Sequence, residues 1–431
     1  MSERMQRPAP SSGGGSRFWA WVVILGVLGA GWHFLPSRPE MESAAEPELA
    51  QGIELPILET RVSPVVELPV DPMEDQTLAE STTVEPPEPK RLEPLRLNST
   101  GPAADRQWPS RVALTTTPEV ETVADHGLKG LHVYRTEHYE FRCDWPLGAD
   151  VVRTFSRVFE STYLLNCLLP LDLRPTPEPM RERFVARIFT EQRQYLAEGG
   201  LQGSAGSYSR GDASILVPAS SLGVKMVGGR VQMDRSEESG TLIHEITHQM
   251  MNPWLERLPK WFTEGSAEYV EMADYIHGRF FLNQMRDRLV RRLNIGLHRG
   301  GEKEFKMLNV GQLLALDGSR WNREMAMTSS LVSQNYDSAL VLTYFFYHHD
   351  GDGDAKGMIQ FLRAVEEGIP TDQAIAEHLL RGRSFAQIEA EIERSLERDG
   401  VPVVWAERDG PVWIVEGLLN GIGLTTGRGG F

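Results

Sequence analysis

The amino-acid sequence predicts an α+β domain, in which a small N-terminal sheet is followed by a helical C-terminal part. Residues 131–143 alternate between apolar and polar side chains and predict a strand or hairpin, and residues 149–169 have helical periodicity. The segment 184–190 predicts a further strand, and the segment 207–218 predicts a turn followed by a strand. From about residue 236 to residue 400 the pattern is mostly helical. Strands that precede a run of helices are typical of the α+β class.

The overall composition limits the class of protein. The chain has 431 residues, with 44 Lys and Arg against 60 Asp and Glu, and a net charge of −16. With 24% charged and 41% hydrophobic residues it can form a globular core, but it is too polar for a protein with many membrane spans. The acidic balance argues against nucleic acid as a partner, because proteins that bind it present basic surfaces. Two cysteines exclude a disulfide-rich scaffold and a four-cysteine zinc cluster.

Most of the negative charge lies in residues 36–125. This segment holds 18 acidic and 7 basic residues, which gives −11, and 14 of the 27 prolines of the chain. Such a composition cannot bury enough apolar surface to offset the entropy that is lost on ordering. We therefore predict a disordered, Pro/Glu-rich acidic linker over 36–125, followed by a folded domain over 126–400 and a C-terminal tail over 401–431.

An apolar stretch without charges precedes the linker at residues 18–35. As a helix, a stretch of this length spans about 27 Å, close to the ~30 Å hydrocarbon core of a bilayer. Three arginines precede it, which favours a cytoplasmic N-terminus at residues 1–17. The sequence therefore predicts a single-pass transmembrane signal-anchor, with the folded domain in the periplasm or at the cell surface. A cleaved signal peptide is the alternative, although its apolar region is usually shorter.

The strongest motif is His244-Glu245-Ile246-Thr247-His248. On a helix, the two histidines are four residues apart and share one face. Both imidazoles can therefore bind one Zn²⁺, and Glu245 lies beside them to accept a proton from bound water. The five-residue pattern alone also arises by chance, so support has to come from elsewhere in the chain.

A second predicted helix, KWFTEGSAEYVEMAD, supplies that support, because its Glu264 lies 16 residues after His248. A catalytic zinc needs three protein ligands and an open position, and His244, His248 and Glu264 supply the three. Glu268, one turn beyond Glu264 on the same face, is placed to accept the free N–H of a zinc-bound histidine. The competing interpretation is a surface helix with solvated Glu264, Glu268 and Glu271.

The segments HEITH and WFTEGSAEY resemble the gluzincin branch of the zincin metallopeptidases, and most of all the peptidase-MA-like domain group. The resemblance covers about residues 130–395 and implies a zincin-like fold and the hydrolysis of peptide bonds. It implies that the two motif histidines and Glu264 bind zinc, that Glu245 is the general base, and that Glu268 orients the first histidine. The gap between the motif and Glu264 is shorter than in the best-known gluzincins, so a substrate preference does not follow from the resemblance.

The same resemblance implies a tyrosine or histidine that stabilises the oxyanion. Tyr336 is our candidate, because it opens a predicted apolar helix, QNYDSALVLTYFF. Tyr269 and Tyr344 are alternatives, and packing in the core is the more common role of any tyrosine. The strand at 214–218 is the expected edge strand, which would pair with an extended substrate through main-chain hydrogen bonds.

Four other features carry weaker predictions. The sequence DGDGD at 350–354 lacks the glycine and glutamate of an EF-hand loop and predicts a solvated loop between helices. The histidines at 348–349 are predicted to be surface residues. Cys143 and Cys167 either form a disulfide or are two separate buried thiols. The basic stretch at 286–292 predicts a solvated helical face, or a contact with an anionic substrate or headgroup.

The function that these observations predict is a membrane-anchored zinc metallopeptidase, which hydrolyses peptide bonds in a peptide or protein substrate with Glu245 as general base. The first alternative is a catalytically silent, zincin-like metal-binding module at the cell envelope. The second is a structural envelope protein in which the motif is accidental. Glu245 favours the enzyme, because a domain that only binds metal does not need this base. The sequence leaves the specific substrate and the oligomeric state open.

Overall fold

The computed structural model describes residues 107–406, except 125, 178–180, 203, 210, 228–229, 234–239, 301–302 and 326. The predicted anchor at 18–35, the linker up to residue 106 and the tail from residue 407 lie outside the described residues. None of the helices within the described residues is long and apolar enough to cross a membrane. This part of the chain combines helices and strands, which confirms the predicted mixture of α and β structure.

The strands of the described residues form one larger sheet and three smaller ones. They are β1 (Arg111–Ala113), β2 (Glu121–Val123), β3 (His132–Arg135), β4 (Tyr139–Cys143), β5 (Phe184–Phe189), β6 (Ser207–Ser209), β7 (Ser214–Pro218), β8 (Val224–Val227), β9 (Arg230–Met233), β10 (Asp274–Tyr275), β11 (Arg279–Phe281), β12 (Phe305–Leu308) and β13 (Val403–Ala406). The larger sheet has the order β2-β3-β4-β5-β7-β6, in which β4, β5 and β7 are parallel and the other neighbours are antiparallel. The strands predicted at 131–143, 184–190 and 207–218 are all present in it.

Helices dominate the later part of the domain, as the sequence predicts. They are α1 (Ala149–Leu168), α2 (Gln192–Ala197), α3 (Gly240–Met250), α4 (Lys260–Met272), α5 (Met285–Gly300), α6 (Val310–Leu314), α7 (Gly318–Met325), α8 (Ser329–His348), α9 (Lys356–Glu366), α10 (Thr371–Ala374) and α11 (Phe385–Arg398), with a π-helical segment at Ile375–Leu380. Helix α1 agrees with the helix predicted at 149–169. Helix α3 packs against α1, α4 and the strands β6 and β7, so it lies between the sheet and the helical part.

The strand at 214–218 is not an edge strand, so this prediction is wrong. Strand β7 lies between β5 and β6, and all of its residues are buried. An unbroken apolar run such as Ile215, Leu216 and Val217 is typical of a strand that is covered on both faces. The polar strand β6 takes the edge instead, and among the described residues it pairs only with β7.

Helix α4 packs closely on α8 at Gly265. A Cβ atom at this position would lie 2.2 Å from Thr343 Oγ1 and 2.4 Å from the carbonyl oxygen of Ala339. Only glycine therefore lets the backbones of the two helices approach each other here. Because Gly265 follows Glu264, the crossing brings α8 next to the predicted metal ligand.

The folded domain begins earlier and ends later than the predicted boundaries at 126 and 400. Strand β1 pairs with β11 and strand β2 with β3, so the chain from residue 107 belongs to the domain and not to the linker. Strand β13 pairs in parallel with β12, which places part of the predicted tail in the fold. These strands are three or four residues long. The partners of β1 and β13 are distant in sequence, so a local pattern does not reveal them.

Cys143 and Cys167 are not joined to each other, so the structure supports separate cysteines and not a disulfide. Cys143 is fully buried in β4, and Cys167 is half-buried in α1. Burial raises the pKa of the Cys143 thiol, which therefore stays protonated and packs as a small apolar group.

Two predictions of solvated residues near the end of α8 are wrong. The ring of His348 lies 4.5 Å from that of Trp108, within a cluster of aromatic side chains. Asp350 is buried, and its Oδ1 atom accepts from Arg381 at 2.5 Å and pairs with Arg383 at 2.9 Å. The other two aspartates of the loop are exposed, as predicted. Asp350 is thus a structural anchor for the segment after the π-helical turn.

Candidate metal centre

Helix α3 presents His244 and His248 on one face, as their spacing predicts. The apolar residues of the helix, among them Leu242, Ile243 and Ile246, are buried in the core and fix its rotation. The two imidazole rings lie 4.7 Å apart and nearly perpendicular, at 81°. Both side chains therefore point into the same space beside α4.

Glu264 completes the cluster from helix α4. Its Oε2 atom lies 3.2 Å from His244 Nε2 and 3.4 Å from His248 Nε2. Its Oε1 atom is bound by the ammonium group of Lys260, one turn earlier on the same helix. Burial favours the neutral form of the carboxyl group, but Lys260 and His248 outweigh it and hold the pKa of Glu264 well below its usual value. Glu264 is therefore ionised, with one oxygen directed at the two histidines.

The three side chains are spaced as the ligands of one metal ion would be. In a tetrahedral zinc site the Zn–N and Zn–O distances are about 2.0–2.2 Å. Two neighbouring ligand atoms then lie about 3.3–3.5 Å apart. The separations between Glu264 Oε2 and the two Nε2 atoms are close to this range. The donor atoms of all three residues also lie within 4.8 Å of one another. The group could hold a metal ion, and its mixture of imidazole and carboxylate donors is one that zinc accepts.

Glu245 is buried beside this cluster, where α3 meets strand β6. Its Oε2 atom accepts a hydrogen bond of 3.1 Å from the backbone N–H of Tyr208. A Cβ atom at Gly206 would lie 3.5 Å from Glu245 Cγ, so the residue just before β6 lies close to this side chain. Burial raises the pKa of Glu245, and the two neighbouring histidines oppose the rise only in part. The carboxylate consequently binds a proton more readily than an exposed glutamate does.

The Nδ1 atom of His244 faces two carboxylates, and the nearer one is not the predicted residue. Glu271 Oε2 lies 3.1 Å away, whereas Glu268 Oε1 lies 3.6 Å away, beyond hydrogen-bond distance. Burial disfavours the charged imidazolium, but hydrogen bonds to Glu264 and Glu271 outweigh it and raise the pKa of His244 well above its usual value. An Nδ1–H that donates to Glu271 leaves Nε2 available for a metal.

Glu268 pairs with Arg292 of helix α5. Its Oε2 atom lies 2.5 Å from Arg292 Nη1, and the Nε atom of the same guanidinium donates to Asp337 Oδ1 of α8 at 2.8 Å. The side chain of Arg292 is only 9% exposed. The prediction of a solvated basic face is therefore wrong for Arg292, although Arg286 and Arg291 are exposed as expected.

Tyr336 of helix α8 lies at the cluster, as predicted. Its ring is 6.1 Å from that of His244 and packs edge-to-face on Trp321 at 5.4 Å. Burial, followed by the negative charges of neighbouring glutamates such as Glu264, raises the pKa of Tyr336 well above its usual value. The hydroxyl group therefore stays protonated and can donate a hydrogen bond.

The two alternative tyrosines lie elsewhere. The hydroxyl group of Tyr269 is 2.9 Å from His348 Nε2, and the ring of Tyr344 is 4.7 Å from the ring of the same histidine. Both belong to the aromatic cluster around His348. Of the three tyrosines considered from the sequence, Tyr336 is the one whose ring packs against a histidine of the motif.

Three residues of the site were not predicted from the sequence, namely Lys260, Glu271 and Arg292. Lys260 and Glu271 could have been found, because they lie four residues before and seven residues after Glu264, on the same helical face. Arg292 could not, because it comes from another helix and its sequence context is that of a solvated face. The contact with Asp337 of α8 depends on how three helices pack together.

Fold and site together define a mixed α and β domain with a buried His-His-Glu cluster that could hold a metal ion. No protein-family model matches the chain, and no curated protein has a significantly similar sequence. The geometry of the side chains and the motif that carries them are therefore the basis for assigning a function.

Proposed function

We propose that this protein is a zinc-dependent metallopeptidase with a zincin-like domain. The observation that supports this function best is the convergence of His244, His248 and Glu264, with Glu245 buried next to them. Three protein donors leave one position of a tetrahedral zinc open, as catalytic sites require. A purely structural zinc site would instead be closed by a fourth protein ligand.

Each residue of the site has a role in amide hydrolysis. A bound zinc ion supplies Lewis acidity, which polarises the substrate carbonyl group and lowers the pKa of water. Glu245 accepts a proton from the attacking water and later delivers it to the leaving amine, and its raised pKa suits both transfers. Tyr336, which stays protonated, donates a hydrogen bond to the carbonyl oxygen as negative charge develops there.

The substrate that we propose is an extended peptide or protein segment lying along strand β6. This strand is the edge of the main sheet in the described residues, and an edge strand offers main-chain hydrogen bonds to an added strand. The backbone N–H of Tyr208, in the middle of β6, donates to Glu245, so this strand lies directly beside the general base. A peptide on β6 would therefore pass close to the water that Glu245 deprotonates.

The proposed cellular location is outside the cytoplasm, on a membrane. The apolar segment at 18–35 is long enough to anchor the chain, and three arginines precede it. The acidic, proline-rich segment that follows would separate the domain from the bilayer. A membrane-fractionation assay on cells that produce the full chain, before and after high-salt and detergent washes, tests the anchor.

The alternative function is a silent metal-binding module at the cell envelope. Such a module would need His244, His248 and Glu264 but would gain nothing from a buried carboxylate at position 245. Within the described residues the buried carboxyl group of Glu245 accepts one backbone hydrogen bond, and burying such a group is costly, which favours a catalytic use.

The proposed function is tested with three purified full-length proteins. They are the wild type, Glu245→Gln and, as matched control, Glu256→Gln, which changes an exposed carboxylate in the connection between α3 and α4. We expect about one zinc ion per chain in all three by elemental mass spectrometry. We expect mass spectrometry of a broad peptide library to show cleavage by the wild type and the control only.

The outcomes separate the candidate functions. Native wild-type protein without bound metal would contradict every metal-dependent function. Zinc in all three proteins without turnover by any of them would support the silent module. Equal turnover by the wild type and Glu245→Gln would show that cleavage does not use this base.

A further inference from the structure

Arg292 is a buried cation at the junction of helices α4, α5 and α8. Its Nη1 atom lies 2.5 Å from Glu268 Oε2, and its Nε atom lies 2.8 Å from Asp337 Oδ1. The guanidinium group is planar and rigid, so two carboxylates bound to its different nitrogens are held at a fixed separation and angle. Arg292 thereby joins an α4 carboxylate to an α8 carboxylate.

Each of these carboxylates lies next to a residue of the proposed metal centre. Glu268 Oε1 is 3.6 Å from His244 Nδ1. Asp337 directly follows Tyr336, whose ring lies 6.1 Å from that of His244. A shift of Arg292 would therefore move the surroundings of His244 on one side and the turn of α8 that carries Tyr336 on the other.

The charge of Arg292 is needed as well as its shape. Glu268 and Glu271 both lie within 3.6 Å of a single nitrogen of His244, so two carboxylates crowd one imidazole. Like charges at such separations repel each other, and a buried carboxylate without a cation is strongly disfavoured. Arg292 pairs directly with Glu268, which lets Glu271 keep the hydrogen bond to His244.

We propose that Arg292 is a positioning residue, which holds Glu268 and Asp337 together and so fixes His244 and Tyr336 relative to each other. The proposal rests on the proposed function, because it takes His244 as a metal ligand and Tyr336 as a hydrogen-bond donor to the substrate. Arg292 acts through these neighbours, and its ion pairs are with the two carboxylates. We therefore expect a substitution of Arg292 to change both the metal affinity and the turnover.

The test uses four full-length variants, namely Arg292→Met, Arg292→Lys, Asp337→Asn and the matched control Arg288→Met. Arg288 lies one turn earlier on α5 and pairs with Asp274, so its replacement removes an ion pair of the same helix outside the site. Affinity for Zn²⁺ and Co²⁺ is measured by competition with a chromophoric chelator. The visible absorption spectrum of the Co²⁺ protein reports ligand geometry without any need for turnover.

We expect Arg292→Met to bind zinc about 10–100-fold more weakly than the wild type, the usual effect of losing support for a ligand. Arg292→Lys keeps the charge but lacks the planar fork, so we expect a smaller loss and an altered Co²⁺ spectrum. We expect Asp337→Asn to keep the zinc affinity and the KM for a cleaved peptide while kcat falls, because it disturbs only the Tyr336 side. Arg288→Met should match the wild type in each measurement.

Wild-type affinity and an unchanged Co²⁺ spectrum in both Arg292 variants would overturn the proposal. If Arg292→Met does not fold, as judged by circular dichroism, the Arg292→Lys spectrum and affinity decide the question alone. In another outcome, the zinc affinities differ between the proteins as expected while the wild type cleaves no peptide. This result would support Arg292 as a positioning residue of a silent metal site and would contradict only the proposed function. A wild-type protein that binds no metal would overturn both.

Discussion

The Oε2 atom of Glu271 lies 3.1 Å from the Nδ1 atom of His244, while the Nε2 atom of the same ring faces Glu264. The imidazole is thus held from both sides by carboxylates of one helix, α4. A hydrogen bond at Nδ1 fixes the tautomer and the ring orientation that a metal ligand needs. Glu271, seven residues after Glu264, supplies this bond in place of Glu268.

The first prediction follows from this contact. Replacing Glu271 by Gln removes the charged acceptor with little change of volume, and we expect the zinc affinity to fall about 10–100-fold. Glu268→Gln should lower the affinity less, because its nearer oxygen lies 3.6 Å from His244 Nδ1. Chelator competition on the two variants measures both effects. A larger loss in Glu268→Gln than in Glu271→Gln would contradict the assignment of Glu271.

Helical periodicity is sufficient to place the residues of α3 and α4. His244 and His248 are four residues apart, as are Glu264 and Glu268, and side chains at this spacing share a face of any α-helix. The same rule could have indicated Glu271, but spacing alone does not tell which of two carboxylates on one face reaches the imidazole. That choice depends on distances between side-chain atoms that differ by fractions of an ångström.

Tertiary pairing accounts for what the sequence did not predict. Arg292 belongs to a stretch whose other arginines include exposed ones, and only the packing of α5 against α4 and α8 buries it. Strand β1 depends on β11, a partner about 170 residues away in the chain. The prediction of β7 as the edge failed because nothing in its sequence shows that the short polar strand β6 lies outside it.

The second prediction concerns Tyr336. If its hydroxyl group stabilises the developing oxyanion, Tyr336→Phe should lower kcat about 10²–10³-fold and leave the zinc content unchanged. Tyr344→Phe is the matched control, since it lies on the same helix but packs around His348. Steady-state kinetics on a peptide found in the library test measure the effect. Similar kcat values for the wild type and Tyr336→Phe would exclude this tyrosine as the donor.

The third prediction concerns the ammonium group of Lys260 on Glu264. Lys260→Met leaves the buried carboxylate without its cation, and we expect the metal-free protein to lose about 1–3 kcal/mol of unfolding free energy. Zinc supplies positive charge at the same carboxylate, so the loss should shrink in the zinc-loaded protein. Urea unfolding with and without zinc measures both values. Arg153→Met, which breaks an exposed ion pair with Asp150, should change stability by less than about 0.5 kcal/mol.

An equal loss for Lys260→Met in the two metal states would contradict the third prediction. It would mean that Lys260 stabilises the fold through packing of its aliphatic chain and not through Glu264.

The fourth prediction concerns the crossing of α4 and α8. Gly265→Ala adds a methyl group within 2.4 Å of a backbone carbonyl of α8, which cannot move without shifting the helix. We expect a loss of about 1–3 kcal/mol in unfolding free energy, as for other overpacked cores. Gly318→Ala is the matched control, because the new methyl group meets nothing within 4 Å. Urea unfolding of both variants should show a loss for Gly265→Ala alone, and equal stabilities would contradict the close approach.

The last prediction concerns pH and the aromatic cluster around His348. Burial, together with a smaller contribution from His349, lowers the pKa of His348 from 6.5 to about 4. The unfolded chain binds this proton near pH 6.5, whereas the folded protein binds it only near pH 4. Between these values the unfolded state holds more protons, so the unfolding free energy decreases as the pH falls. The decrease should reach about 3 kcal/mol at pH 4, be only about 0.4 kcal/mol at pH 6.5 and vanish about one pH unit above that.

Urea unfolding between pH 7.5 and pH 4.5 measures this dependence on the wild type, His348→Gln and His132→Gln. Glutamine does not titrate, yet its amide can still form a hydrogen bond with the hydroxyl group of Tyr269. Other groups titrate in the same range, but their contribution is common to the three proteins and cancels in the comparison. We expect His348→Gln to lose less stability than the wild type on acidification, while the exposed His132 makes no such difference. Parallel curves for the wild type and His348→Gln would show that the buried imidazole is not what makes the fold acid-sensitive.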